Sequence, residues 1–265
     1  MKISEISDFI RRRMSGPDNR VGEDTAISPE LVDTGIYGTF AIGVASPDDA
    51  LFERCREPDA VGPHFMPPRS WLPEAGSVVS VFFHVATQVA ESNARKSYWP
   101  SGAWLHAKHE GQKFISATMV ALRDELEKRS HSSIVPVKDP RFESGGFTSN
   151  WSERHAAHVC GLGTFGLSRG LITKIGVAGR FGSLVTALVL PPTAREYSGL
   201  YDWCVMCGAC VKNCPAGAIS VERGKNHVPC SEFLDRTEEK YAPRYGCGKC
   251  QVSVPCQDAA PGFAP

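Results

Sequence analysis

Cys204-Val-Met-Cys207-Gly-Ala-Cys210-Val-Lys-Asn-Cys214-Pro215 decides how this chain is read. Its spacing, C-x2-C-x2-C-x3-C-P, is that of a loop built to hold iron–sulfur clusters. Three thiolates on one tight loop grip three irons of a cubane. The fourth, carried onto the next turn and followed by proline, points away to a second cluster. Four more cysteines complete a second set: Cys230, then Tyr245-Gly-Cys247-Gly-Lys-Cys250-Gln251, then Pro255-Cys256. The second run does not repeat the first, because five residues separate Cys250 from Cys256. The expected partition is Cys204, Cys207, Cys210 and Cys256 around one [4Fe-4S] cluster, and Cys214, Cys230, Cys247 and Cys250 around the other. Zinc suits paired C-x2-C elements but not four cysteines ending in C-P. Disulfides need an oxidising compartment.

The chain has 265 residues, 42% of them hydrophobic, which is ample for a core. Its formal net charge is zero, so no global field draws it to nucleic acid or to an anionic membrane. Met1 to Arg13 lacks the apolar stretch of an export signal; Ile3, Ile6, Phe9 and Ile10 form a helical stripe instead. No apolar run approaches membrane-spanning length. The expected location is the cytoplasm, where thiols stay reduced.

Residues 15–30 read as a Gly/Pro/Asp-rich connector. Ser77 to Ala86 reads as a buried strand after the turn Pro73-Glu-Ala-Gly76. Residues 102–130 read as a long helix, with Phe114, Ile115, Met119, Leu122 and Leu126 on its apolar face. Ile134–Val137, Leu171–Thr173 and Leu184–Leu190 are expected strands, and residues 151–160 an expected helix stopped at Gly161. Pro191-Pro192 closes the last strand. Two domains follow: 1–192, a cofactor-binding layer of strands and helices, and 193–265, the cysteine module.

Residues 151–190 carry a sharper signal: Trp151-Ser-Glu153-Arg154-His155-Ala-Ala-His158-Val-Cys160-Gly-Leu-Gly163-Thr-Phe-Gly166, then Gly170-Leu-Ile-Thr173, then Gly179-Arg180-Phe-Gly-Ser-Leu-Val-Thr186. This closely resembles the E-R-x-A-A…A-G-L-G…L-I-T…R-x-G…T segment of epoxyqueuosine reductases, relatives of the reductive dehalogenases. That family places the segment directly before a C-x2-C-x2-C-x3-C-P run and closes with Y-G-C-x2-C-Q, as this chain does. The resemblance covers about residues 70–256. It implies an α+β chain: a nitroreductase-like α/β sandwich fused to a bacterial two-[4Fe-4S] ferredoxin-like domain. It also implies base-off cobalamin beside the nearer cluster, with flavin the alternative. Electrons would enter from a ferredoxin- or flavodoxin-like redox partner and serve a small-molecule or corrinoid substrate. The residues the resemblance brings to the cofactor are Ser149, Asn150, Trp151, Glu153, Arg154, His155, Gly161 and Gly163.

Three departures shape the expected function. Alignment on Glu153-Arg154 puts Phe147 where the family's epoxide reductases carry an aspartate proton donor, so no catalytic residue is assigned. The chain stops at Pro265 without the helical extension that helps hold tRNA, and with zero net charge a nucleic-acid substrate is not expected. The last cysteine sits in Q-V-S-V-P-C instead of Q-x-V-C-P. The reading is an iron–sulfur oxidoreductase with another substrate. The alternative is an electron-transfer or corrinoid-handling protein that serves a partner enzyme.

The remaining patterns have blander readings. Gly161-Leu-Gly-Thr-Phe-Gly166 matches G-x-G-x-x-G but follows a helix, not a strand, which argues against a dinucleotide site. His106/His109 and His155/His158 read as surface or capping histidines. Glu153 and Arg154 read as an ion pair or as site residues. Trp104, Tyr98 and Trp99 read as core, Cys160 as a small buried residue, and Lys212 and Lys249 as solvated.

Overall fold

The computed structural model describes residues 1–95 and 98–263. Helix α1 (Ile3–Met14) leads through the connector to strand β1 (Tyr37–Ala45), then α2 (Ala50–Arg54) and α3 (Pro68–Trp71). Strand β2 (Ser77–Val85) is followed by α4 (Thr87–Ala94), the long α5 (Gly102–Lys128) and β3 (Ser133–Ile134). A small hairpin, β4 (Ser144–Gly145) and β5 (Thr148–Ser149), precedes α6 (Glu153–Val159), β6 (Gly163–Phe165), β7 (Leu171–Thr173) and β8 (Gly179–Thr186). The cysteine-rich remainder holds α7 (Ala209–Lys212), the pair β9 (Ile219–Ser220) and β10 (Gly224–Lys225), and α8 (His227–Tyr241).

The central sheet has the order β1-β2-β8-β3 and is antiparallel at every pairing. Every residue of β2 is buried, because helices cover the sheet on both faces. Side chains alternate along the strand. Val79, Val81, Phe83 and Val85 pack toward Phe114, Ile115, Met119 and Leu122 of α5. Val78 joins Trp151, Ala156 and Val159 around α6 on the other face. The fold is thus α+β, with a helix layer on each side of the sheet.

The strand Ser77–Val85, the long helix, the α6 helix and Leu171–Thr173 form where the sequence places them. β1 has no counterpart in the sequence reading. Its glycines, Gly38 and Gly43, blur a strand pattern, yet the fold needs one of them: a Cβ on Gly43 would fall 2.2 Å from the Cys160 carbonyl oxygen. The expected Ile134–Val137 strand shrinks to Ser133–Ile134, since Pro136 offers no N–H and opens a 3-10 turn. The expected Leu184–Leu190 strand runs instead from Gly179 to Thr186. Leu188 and Leu190 leave the ladder, and the Leu190 N–H donates to Ser77 Oγ at 2.8 Å.

The cysteine segment is packed into the rest of the chain. Val252 lies in the main core, and Trp203 and Val254 share a cluster with Ile172 and Val177. A buried polar knot fastens it to α5. Arg244 donates to both carboxylate oxygens of Glu110 at 3.1 and 2.7 Å, and to the Thr25 carbonyl at 2.6 Å. His106, expected at the surface, is fully buried; its Nε2 accepts from the Ile27 N–H, so Nδ1–H donates to Glu110. Burial would raise the Glu110 carboxyl, but the His106 and Arg244 hydrogen bonds override it and hold it down to about 2.

Glu110→Ala leaves the buried Arg244 guanidinium unpaired and is expected to cost about 3 kcal/mol in denaturant unfolding. Because the folded value is depressed, the stabilisation is complete above the ordinary value of 4.5 and is lost as pH falls toward about 2. The variant's unfolding curve should lack that acid limb.

Candidate cysteine cradles and the adjoining cavity

Cys214, Cys230, Cys247 and Cys250 line one cavity of about 160 Å³, together with Trp104, Lys108, Arg180 and Lys225. Three separate pieces of chain bring them there. Cys214 follows α7, and the Ala218 N–H points at its Sγ from 3.2 Å. Cys230 sits in the first turns of α8, whose start is capped by Asn226 accepting from the Val228 N–H at 3.0 Å. Cys247 and Cys250 flank Gly248, which lies at φ +67°. A Cβ on Gly248 would fall 1.9 Å from the Trp104 ring, so the loop folds tightly over the indole only with glycine. Burial pushes the Cys247 thiol up to about 12, and Cys250, Cys214 and Cys230 add to it.

The other cysteines gather beside this cradle. The Cys256 thiol is pushed up to about 12, by burial first and then by Cys204, Cys210 and Cys207. The longer loop before Cys256 therefore still returns it to the first run. Cys210 is pushed to about 11 by burial, then by Cys250, Cys204 and Cys207, which makes the two groups neighbours. Cys207 is exposed, and Val205 and Met206 beside it are 50% and 43% exposed. All ten cysteines are free thiols. Among the described residues no three His, Cys, Asp or Glu side chains converge as they would on a single metal ion. Clustered thiols whose charged forms repel one another suit a larger cationic iron–sulfur core that draws off their charge.

A second, larger cavity of about 390 Å³ shares Arg180 and Gln251 with the inner cradle. Its apolar side comes from Ile115, Met119, Val135 and Val177; its polar groups are Gln112, Ser116, Glu153, Arg154, Arg180, Ser183 and Gln251. Glu153 is its only carboxyl among the described residues. Both carboxylate oxygens are buried and short of well-formed hydrogen bonds, the Ser183 hydroxyl being the one donor beside them. Burial raises the Glu153 carboxyl to about 7; the Ser183 hydroxyl, which already accepts from Trp151 Nε1–H at 2.9 Å, lowers it only in part. Glu153 does not pair with Arg154, whose guanidinium donates to the Arg169 carbonyl at 2.7 Å. Adjacent positions on a helix point about 100° apart, which explains the separation. Arg180 makes no ion pair among the described residues; burial lowers its guanidinium, and the phenols of Tyr37 and Tyr245 are its only compensating neighbours. Lys108 is lowered to about 8 by burial and by Arg180, and stands 4.1 Å over the Tyr245 ring.

Of the residues that the sequence reading brings to the cofactor, Glu153 and Arg154 line this cavity. The others make protein contacts away from its lining. Ser149 Oγ donates to the Trp151 carbonyl, and Asn150 ties Arg141 to Glu143. Trp151 is stacked between Phe52 and Phe65 in the core. His155 bonds Ser152, Gly161 ends α6, and Gly163 opens β6. Phe147 stands on the β4–β5 turn, 63% exposed and stacked on His227. Lys249, expected in solvent, is buried and donates to the Asn93 carbonyl at 2.6 Å. Arg180 and Gln251 escaped assignment although both stand inside the quoted segments. An arginine beside Gly179 in an apolar strand, with no acid nearby in sequence, was the available signal.

Residues 200–220 match the family described as "4Fe-4S binding domain". Solved structures of an epoxyqueuosine reductase with an epoxyqueuosine-modified tRNA-Tyr stem loop and of a catabolic reductive dehalogenase in complex with 3-bromo-4-hydroxybenzoic acid superpose with TM-scores of 0.56 each. Identities are 17% and 14%, over 96% and 97% of this chain and 66% and 37% of theirs, so the likeness is one of fold. These matches define an iron–sulfur protein with the fold of epoxyqueuosine reductases and reductive dehalogenases. Among curated proteins it is similar to the epoxyqueuosine reductase of Staphylococcus aureus (strain NCTC 8325 / PS 47), 26% identical over 199 residues. That match takes in 71% of this chain, which spans half the length of that relative. No helix of the described residues is long and apolar enough to cross a membrane.

Gly248→Ala places a methyl group inside the Trp104 ring and strains a left-handed residue by about 1 kcal/mol or more. The loop must move, so anaerobically reconstituted variant is expected to hold about half the iron of the parent, measured by iron assay against protein concentration.

Proposed function

We propose that this chain is an iron–sulfur oxidoreductase that passes electrons through two [4Fe-4S] clusters to a reducing site in the 390 Å³ cavity. The observation that carries this reading is the shared wall: Arg180 and Gln251 line both the four-cysteine cradle and the cavity. Cys204, Cys207, Cys210 and Cys256 hold the outer cluster; Cys214, Cys230, Cys247 and Cys250 hold the inner one. Cationic side chains support an anionic cluster at the inner site. Lys225 draws down the Cys250 thiol against burial and its neighbouring thiols. Desolvation lowers the Arg154 guanidinium while Cys250 and Cys230 raise it.

Residues 1–192 form the cofactor domain, read as a nitroreductase-like sandwich, and 193–265 the cluster domain. The cofactor is a corrinoid. When bound, it supplies a low-valent metal centre for reductive bond cleavage. Ile115 and Met119 would floor it, with Gln112, Arg154, Arg180 and Gln251 reaching its polar edge. A small molecule, not tRNA, is the substrate. The exposed Val205-Met206 tip beside Cys207 is where a redox partner reaches the outer cluster. A second reading, delivery of electrons to a partner enzyme, draws on Phe147, which puts an exposed aromatic where the related epoxide reductases carry an acid.

Anaerobic reconstitution is expected to give about eight irons per chain. Cys207→Ala and Cys230→Ala should each lose about half, from different clusters distinguishable by electron paramagnetic resonance. Well under eight irons in the parent ends the two-cluster reading. Titration of the reduced protein with hydroxocobalamin should give a saturable base-off absorption change. Intact clusters without that change leave the electron-delivery reading standing.

A further inference from the structure

We propose that Glu153 is the proton donor of the 390 Å³ cavity, taking the part left vacant at Phe147. The assignment rests on the cavity being a reducing site. Glu153 is the one carboxyl among the described residues lining it, and both its oxygens are buried with only the Ser183 hydroxyl beside them, too poorly placed for a full hydrogen bond. A buried carboxyl with no charged partner and only a weakly placed hydroxyl is costly as an anion and is retained neutral, as an O–H donor. The neighbouring position cannot donate a proton, because Phe147 carries no acid and leans, exposed, on His227 outside the cavity.

The groups around Glu153 leave it free to act. On α6, Arg154 donates to the Arg169 carbonyl, His155 bonds Ser152 and His158 bonds the Gly163 carbonyl. Cys160, at the end of that helix, is kept a neutral thiol by its burial, with Asp49 and Glu153 adding to the effect. From the start of α2, Asp49 is engaged by Arg195. From β8, Ser183 faces Glu153 and Arg180 lines the same cavity. The raised value of about 7 places the proton on Glu153 at and below neutrality.

The step balances as R–X + 2 e⁻ + H⁺ → R–H + X⁻. The carbon–X bond breaks, X leaves with the electron pair of that bond, and the carbon takes two electrons from a low-potential reductant. Its new bond to hydrogen uses the Glu153 proton, and solvent returns a proton to the carboxylate. Arg180, already without an acidic partner, offsets the negative charge left behind.

The test uses reconstituted full-length protein with dithionite as reductant, hydroxocobalamin, and 3-bromo-4-hydroxybenzoate as probe. Glu153→Gln keeps the shape of the protonated side chain. It should retain iron content, lower kcat about 100-fold with KM little changed, and abolish the fall in rate as pH rises through about 7. Glu153→Asp should recover part of the rate. A Glu153→Gln variant with parental kcat, or with that alkaline limb intact, overturns the assignment. A second readout needs no turnover. A small α-diazoamide esterifies a protonated carboxyl by taking its proton, forming the C–O bond and releasing N₂. Peptide mass spectrometry should find Glu153 modified at pH 6 and spared at pH 8. If the parent does not reduce the probe, the reducing-site reading falls and the donor role with it, and labelling in this pattern then shows only that Glu153 holds a proton near neutrality. No labelling of Glu153 at pH 6 overturns the donor.

Discussion

A single half-buried carboxylate governs how the two parts of this chain meet. Glu110, on the long helix that covers the sheet, accepts from Arg244 just ahead of the Cys247–Cys250 loop and from His106 on its own helix. Neither charge could be buried alone. Together they fix the C-terminal loop against α5, and that in turn sets Gly248 over the Trp104 ring. Asn93 adds to the hold: its side chain donates to the Cys247 carbonyl at 2.9 Å, while its backbone carbonyl receives Lys249. The cradle is thus shaped by the α/β layers it leans on, not by the cysteine loops alone.

The same packing gives the cavity its unequal chemistry. Sheet, α5 and α6 supply apolar walls, and beside them stand two guanidinium groups without carboxylate partners and one carboxyl with only a hydroxyl for a donor. In most interiors such groups find each other. Here they are kept apart by direction: Glu153 and Arg154 leave the helix on different sides, and Arg180 comes from the sheet. A cavity arranged in this way favours the neutral acid and welcomes negative charge, which suits a reduction that consumes protons and generates anions.

Much of this was legible in the sequence where the signal was local. Ser77–Val85 announced itself by its apolar run, α5 by its 3.6-residue stripe, and the cysteines by spacing that only cluster loops use. What escaped was set by partners distant in the chain. β1 is glycine-broken and becomes a strand by pairing with β2. Pro136 cut short an apolar stretch that looked extended. Lys249 looked like a solvated lysine between cysteines, and its burial depends on a carbonyl at position 93. The cavity draws on residues from 112 to 251, so spacing could name Glu153 and Arg154 but not the surface they share with Arg180 and Gln251. Six further residues chosen from the family segment turned out to brace it.

The two cradles also differ in their access to water, and that difference bears on durability. Cys207 lies at the surface beside Val205 and Met206, whereas Cys250 and the buried Lys249 sit in the cavity lined by Trp104 and by Phe233 and Leu234 of α8. A centre near solvent exchanges electrons readily, and it meets dioxygen just as readily. With clusters in both cradles, as proposed, damage in air would begin at the outer position and isolate the inner one before destroying it. On that proposal, a batch of aged protein would keep half its metal and its full shape, yet be electrically cut off.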